Sequence, residues 1–173
     1  MLFRSADAVL ATWQLGSEAG HALADILFGA ANPSGRLPIS WPRAVGQAPI
    51  YYNQRATGRP TEIGVHYSSC YIDMLATPQF PFGHGLSYSL FSLLEFSCLT
   101  PLVKRGGCVE VGVRLRNNGS RSGEATLFFF IRDLVASVAR PVLELKGVKK
   151  VILAQGQEEQ VSFSDRKSTR LNS

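Results

Sequence analysis

The 173-residue sequence predicts an α/β segment followed by an all-β sandwich, and three observations lead to this fold class. Residues 6–29 have the pattern of a short apolar strand, a tight turn and a helix. Residues 30–90 are rich in Pro, Gly, Tyr and Ser, and apolar residues alternate with polar ones from about Phe91 onward. With 45% apolar residues the chain can build a packed core, so wholesale disorder is not expected.

The α/β segment begins with an apolar run at residues 6–13. This run suits a buried parallel strand, although a helix stays open as the alternative. Apolar residues then recur at helical spacing as far as Leu27. Ser17 can cap this helix, Glu18 favours the positive end of its dipole, and Gly29 can close it. The segment is therefore predicted to form a strand, a turn and a helix.

Residues 30–90 contain few periodic runs and are predicted to form long ordered loops, which must pack against another part of the fold. Residues 32–35, Asn-Pro-Ser-Gly, predict a turn. Residues 36–42 place apolar side chains at every second position, and two prolines exclude a helix there. We expect this stretch to form a strand-like segment at the edge of the α/β layer.

The second half of the chain predicts short strands separated by turn residues. These are residues 108–116, 124–133, 141–153 and 159–163. The Asn-Asn-Gly-Ser sequence at residues 117–120 predicts a hairpin turn between the first two. Residues 124–133 are apolar on both faces at their centre. The pattern is that of half a β-sandwich.

Charge and motif spacing exclude several function classes. The formal net charge is +5, but the basic residues are scattered rather than gathered on a folded face, so a nucleic-acid partner is not expected. No stretch reaches the roughly 18 apolar residues of a membrane span. The three cysteines lack metal-ligand spacing, and neither a nucleophile elbow nor a phosphate loop is present. We therefore predict no metal, no cofactor and no membrane span.

Trp13, Gly16 and Glu18 are the candidate substrate-proximal residues. They lie where the predicted strand turns into the helix, and ligands of α/β sheets bind outside the carboxyl ends of strands. Trp13 could present its ring to a sugar and Glu18 a carboxylate. The alternative is that Trp13 belongs to the core and Glu18 only complements the helix dipole. For His66 and His84, loop packing is the simpler interpretation and substrate contact the alternative.

Three stretches of the sequence carry a family resemblance. They are "WQLGSEAGHALADILFGAANPSGRLPISWPRAVGQAPIYYNQRATGRP", "FPFGHGLSYSLF", and "VEVGVRLRNNGSRSGEATLFFFIRD" together with "RPVLELKGVKKVILAQGQ". The first resembles the C-terminal α/β sandwich segment of glycoside hydrolase family 3, and the second its passage into the last domain. The third resembles the fibronectin type III-like domain that closes many members. The most similar subgroup is that of the bacterial periplasmic β-glucosidases.

The resemblance implies a domain organisation. Residues 1–44 would be a C-terminal remnant of the α/β sandwich, and residues 45–90 long ordered loops that act as a linker. Residues 91–164 would form an incomplete fibronectin type III-like, immunoglobulin-like β-sandwich. Residues 165–173 are expected to be a non-native or disordered tail.

The resemblance also implies a function for a parent protein. That protein would be a retaining β-glucosidase acting on terminal non-reducing β-D-glucosyl residues, with a barrel domain as the partner of this chain. The family places its nucleophile Asp and its acid/base Glu upstream of the matched residues, so no catalytic residue is assigned here and the fragment is expected to be inactive. The alternatives are a stand-alone carbohydrate-binding or interaction module, and a family 3 β-xylosidase or N-acetylglucosaminidase fragment. The resemblance suggests periplasmic or secreted localisation.

Overall fold

The computed structural model describes residues 6–61, 65, 67–104 and 107–165. Its regular elements are helix α1 (Ala19–Leu27), a 3₁₀ helix (Val45–Gln47) and strands β1 (Phe91–Cys98), β2 (Val109–Asn117), β3 (Gly123–Ile131), β4 (Glu144–Leu153) and β5 (Glu158–Asp165). One α-helix in the first half of the described chain thus precedes five strands in the second half, in agreement with the predicted α/β plus all-β fold class. Among the described residues no helix has the length and apolar character needed to cross a membrane.

The five strands form two antiparallel sheets, one in the order β1-β2-β5 and one made of β3 and β4. The sheets pack face to face over a small core, whose buried members are Leu115, Ala125, Val151, Leu153 and Val161. Phe91, Leu127 and Phe163 pack against its rim. The four stretches predicted as strands, residues 108–116, 124–133, 141–153 and 159–163, overlap β2, β3, β4 and β5, whereas β1 was not predicted as a separate strand.

Residues 6–13 do not form the predicted strand. They have no strand assignment, and Val9 and Leu10 are 45% and 43% exposed. A parallel strand needs hydrogen-bonded neighbours and cover on both faces. Within the described residues nothing pairs with this run, so its apolar composition alone does not produce a strand.

Helix α1 begins later and ends as predicted. The residue at its amino-terminal cap is Glu18 rather than Ser17, and no side chain bonds the first turn. Gly29 adopts a φ of 77° and donates its N–H to the Ile26 carbonyl at 3.1 Å. This left-handed conformation closes helices and suits glycine, which confirms the predicted terminator. No α1 side chain is buried.

The turn at residues 117–120 connects two sheets and is not a hairpin. β2 pairs with β1 and β5, whereas β3 pairs only with β4 among the described strands. Asn117 makes this crossing possible because its fully buried side chain bonds three backbone groups. Its Nδ2 donates to the carbonyls of Arg121 (2.8 Å) and Leu153 (3.0 Å), and its Oδ1 accepts the Gly119 N–H (2.9 Å).

Strand β3 is apolar on both faces because it packs against two different structures. Phe129 stacks on Phe163 of β5, with ring centroids 5.4 Å apart, inside the sandwich. Phe128 and Phe130 lie on the opposite face and contact Phe82 at 5.5 and 6.3 Å. The outer face of β3 thereby supplies the packing surface that the long loops require.

Residues 36–42 are extended, as predicted, but their partner is a loop. Trp41 forms a β-bridge with Phe80, and the Leu37 N–H donates to the His84 carbonyl at 2.9 Å. The segment therefore pairs with residues 79–84 rather than with the edge of an α/β sheet.

The predicted tail overlaps the last strand by one residue. Asp165 pairs with Val109 in β5 and is buried. The rest of that tail, residues 166–173, lies outside the described residues, and so does His66.

Replacing Asn117 with alanine should lower the free energy of unfolding by about 2–3 kcal/mol, because it leaves buried backbone groups without partners. The matched control is Asn118→Ala. Asn118 is exposed and its side chain donates one bond, to Ser92 Oγ at 2.6 Å. The control should cost less than about 1 kcal/mol. Urea unfolding followed by circular dichroism measures both, and equal losses would refute the bridging role of Asn117.

Candidate functional site

Trp13 stands on the exposed loop that precedes α1. Its ring is 60% exposed, so the residue is outside the core. Its φ of 52° lies in the left-handed region, which bulky residues rarely adopt unless the surroundings hold them there. Its ring lies edge-to-face against that of Trp41, with ring centroids 6.2 Å apart.

Trp41 continues this contact into the loop segment. Its ring lies 6.0 Å from that of Phe80, and Phe80 lies 4.9 Å from the ring of His84. His84 is half-buried, as the loop-packing interpretation expects. The rings of Trp13, Trp41, Phe80 and His84 form a row, called here the aromatic row, and Trp13 is its exposed end. Sequence spacing could not find it, because its members lie up to 71 positions apart.

Gly16 and Glu18 complete the loop beside Trp13. Both are exposed. The Gly16 carbonyl accepts the Ala19 N–H and the Glu18 carbonyl accepts the Ala22 N–H, each at 3.1 Å. In the described part of the chain the Glu18 carboxylate has no ion pair, and no hydrogen bond or ring contact joins the three candidates to one another. The three candidates lie near one another because they are close in sequence, and not because they contact one another.

The carboxyl end of α1 is tied to the sandwich. The Tyr88 hydroxyl donates to the Ile26 carbonyl at 2.9 Å, and Arg121 Nη2 donates to the Gly29 carbonyl at 2.7 Å. The Arg121 guanidinium also lies 5.9 Å above the centre of the Tyr88 ring. We call Tyr88 and Arg121 the helix clamp. The sequence analysis did not predict the helix clamp, because Arg121 and the Gly29 carbonyl that it contacts are 92 positions apart and no local pattern connects them.

A cleft of about 410 Å³ separates residues 52–53 from residues 138–145. At its wall the Glu144 carboxylate lies 2.6 Å from Arg140 Nη2 and 2.7 Å from Lys146 Nζ, and the three side chains are only 15–19% exposed. The hydrogen bond from Lys146, with a smaller one from Arg140, holds the pKa of Glu144 below its ordinary 4.5 against the opposing effect of burial.

A second carboxylate with a displaced pKa lies on β3. The hydrogen bond from Lys150, at 2.7 Å, lowers the pKa of Glu124, and Ser34 adds a smaller bond. A general acid needs a pKa raised toward the working pH. Glu124 and Glu144 are displaced the other way, so both are suited to ion pairing. Among the described residues no group of three His, Cys, Asp or Glu side chains could hold a metal ion.

The Glu144 cluster predicts a defined pH dependence. A lowered folded-state pKa contributes stability above the unfolded value, and this contribution is lost as the pH falls through the folded value. Glu144→Gln should therefore cost about 1–2 kcal/mol at pH 7 and progressively less below pH 4.5. The control is Glu159→Gln on exposed β5. Urea midpoints between pH 3 and 7 measure this, and a loss that stays constant over this range would contradict the ion-pair assignment.

Comparison with known proteins identifies two segments. A profile of the glycosyl hydrolase family 3 C-terminal domain matches residues 1–88, and one of a fibronectin type III-like domain matches residues 125–170. The first match covers half of the chain. The second begins inside β3 and includes all of β4 and β5.

Relatives and solved structures agree with these matches. The periplasmic β-glucosidase of Salmonella typhimurium is 45% identical over 162 residues, which are 92% of this chain and 21% of the relative. A β-xylosidase of Formosa agariphila is 38% identical over 90% of this chain and 21% of its own length. The β-glucosidase of Listeria innocua, solved in complex with gluconolactone, superposes with a TM-score of 0.85 at 41% identity over 89% of this chain and 22% of that one.

The chain thus spans about a fifth of the length of the relatives it matches. The family profile over residues 1–88, the fibronectin-like profile and the superposition all lead to one assignment. The chain belongs to glycosyl hydrolase family 3, as part of its C-terminal region.

Proposed function

We propose that this chain is part of a retaining β-glucosidase that releases terminal β-D-glucosyl residues from the non-reducing ends of oligosaccharides. The support comes from relatives named β-glucosidase and from the Listeria innocua enzyme, which was solved in complex with glucose. The domain boundaries predicted after residues 44 and 90 belong to the same proposal. In the periplasm or outside the cell such an enzyme would meet short β-linked saccharides.

Retaining hydrolysis requires two carboxyl groups about 5 Å apart, one as nucleophile and one as acid and base. The acid protonates the glycosidic oxygen while the nucleophile forms a covalent glycosyl-enzyme, which water then hydrolyses. Glu124 and Glu144 are unsuited to the acid role because lysine and arginine partners stabilise their anions. The chain alone is therefore proposed to be inactive, and both catalytic carboxylates would come from another part of the parent polypeptide.

The role proposed for this chain is to supply one wall of the sugar site at Trp13, Gly16 and Glu18. The observation that carries the proposal is that Trp13 is exposed, adopts a left-handed backbone conformation and contacts the Trp41 ring with its own. An immobilised aromatic face covers the apolar side of a sugar ring at little entropic cost. Glu18 lies five residues away, is exposed, and carries a carboxylate that forms no ion pair with any described residue, so it can accept hydrogen bonds from sugar hydroxyls.

Titration with cellobiose tests this wall. The wild-type chain should bind with an affinity in the millimolar range, about −4 kcal/mol, because only one wall of the site is present. Trp13→Ala should abolish saturable binding and Glu18→Gln should weaken it. The matched control is Phe28→Ala, which removes an aromatic ring that is 88% exposed on the same segment. Calorimetry or amide NMR shifts report binding. Unchanged affinity in Trp13→Ala would refute the role of the ring.

Hydrolysis of an aryl β-glucoside tests the absence of catalytic carboxylates. The wild-type chain should give no turnover above a protein-free blank. Turnover that survives Glu18→Gln would show that the chain carries its own catalytic pair and would overturn the proposal. A monodisperse, stable chain that binds cellobiose tightly without turnover would favour a stand-alone binding module.

A β-xylosidase is the second candidate, because two Formosa agariphila relatives bear that name at 35% and 38% identity. Xylobiose lacks the hydroxymethyl groups of cellobiose, so the two ligands differ in one substituent per ring. Tighter binding of xylobiose than of cellobiose in the same titration would favour the xylosidase.

A further inference from the structure

The segment from Trp13 to Gly29 is attached to the rest of the molecule near its two ends. At one end the Trp13 ring meets Trp41. At the other, Tyr88 of the helix clamp bonds the Ile26 carbonyl in the last turn of α1, and Arg121 bonds the Gly29 carbonyl two residues beyond its end. Between these points no side chain of α1 is buried. Leu23, Ala24 and Ile26 are half-buried, so the end contacts add to a partial packing face in setting the orientation of the helix.

The clamp is itself rigid because its backbone is fixed from two sides. The Arg121 carbonyl accepts hydrogen bonds from Ser89 Oγ and from the buried Asn117 Nδ2, both at 2.8 Å. Arg121 lies in the turn that carries the chain from β2 to β3, so its guanidinium is presented by the sandwich. Tyr88 is held by Asn32, whose Oδ1 accepts the Tyr88 N–H at 2.8 Å.

The chemistry of the contact matches the end of a helix. The last carbonyls of a helix lack intrahelical partners and carry partial negative charge, and a cation with N–H donors satisfies both. Arg121 meets the Gly29 carbonyl, and its Nη1 lies 3.4 Å from where a Cβ of residue 29 would be. A larger residue at position 29 would be strained, because its φ would be 77° and its Cβ would crowd the Arg121 guanidinium. Glycine avoids both problems.

We propose that Arg121 is a positioning residue through which the sandwich holds the Trp13 loop in place. Helix α1 has nine residues, so it is a rod about 14 Å long at 1.5 Å per residue. If the carboxyl end of such a rigid helix is fixed, the position of its amino end is restricted. The position of the Trp13 loop, which precedes the helix, is restricted with it. The inference that this position matters for sugar binding rests on the proposed function, whereas the positioning itself does not.

The two tryptophans of the chain, Trp13 and Trp41, permit a direct measurement. In the full chain labelled with 5-fluorotryptophan, ¹⁹F NMR gives two resonances, which Trp→Phe variants assign. Arg121→Gln should shift the Trp13 resonance toward its position in urea while the Trp41 resonance moves less. Arg121→Lys, which keeps a cationic donor, should recover most of the wild-type shift. The matched control is Arg116→Gln, because Arg116 is an exposed β2 arginine paired with Glu158.

Cellobiose affinity provides the second readout. Losing one cationic contact at a helix end should weaken binding about two- to five-fold, and Arg121→Lys should restore it. A Trp13 resonance that stays in place in Arg121→Gln, although the Gly29 amide has shifted, would overturn the proposal. If Arg121→Gln unfolds the chain, Arg121→Lys in 0.5 M and 50 mM salt replaces it: a Trp13 resonance that does not differ from wild type at either salt concentration, although the Gly29 amide has shifted, overturns the proposal, and Tyr88→Phe tests the other bond of the helix clamp in the same way.

The two proposals fail separately. A wild-type chain that binds no cellobiose would refute the sugar wall, while the ¹⁹F comparison would still decide whether Arg121 positions Trp13.

Discussion

The buried side-chain amide of Asn117 is the contact on which the rest of the structure depends. It joins the end of β2 to the turn and to the last residue of β4 with three hydrogen bonds, and its backbone bonds Gln157 and Gly156. A side chain with no solvent exposure must find all its partners inside the protein. Asparagine does so here because its amide offers two donors and an acceptor on one rigid group. The positions of β3 and of Arg121 follow from this single crossing point.

Strand β3 then joins the two halves of the chain. Its inner face completes the sandwich core. On its outer face, Phe128 contacts the Phe82 ring, and Thr126 Oγ1 donates a hydrogen bond to the Ser34 carbonyl at 3.3 Å. The described parts of the long loops cover this apolar surface and are joined to one another by hydrogen bonds from polar side chains. Gln47, which is 2% exposed, holds the carbonyls of Leu75 and Thr77 in this way. A loop segment without sheets of its own thus acquires a fixed shape.

The sequence predicted the features that depend on local pattern. Alternation located β2 and β4, and Gly29 marked the end of α1, because these signals act within a few residues. The connection at residues 117–120 was misassigned as a hairpin, since its local turn chemistry is the same whether the chain returns to its sheet or crosses to another. Local pattern was also insufficient for residues 6–13, because a strand forms there only if neighbouring strands supply its hydrogen-bond partners. Arg121 carries no local signal, and its acceptor became apparent only in three dimensions.

The double-sided packing of β3 has a consequence for how this region changes in evolution. The matched family segments, residues 1–88 and 125–170, meet through Phe82 and Phe128, whose rings are 5.5 Å apart. A smaller residue at either position leaves a gap that a larger residue at the other can fill. These positions are therefore expected to co-vary among relatives. Exchanging one segment between two family members would succeed only when the aromatic partner is exchanged with it.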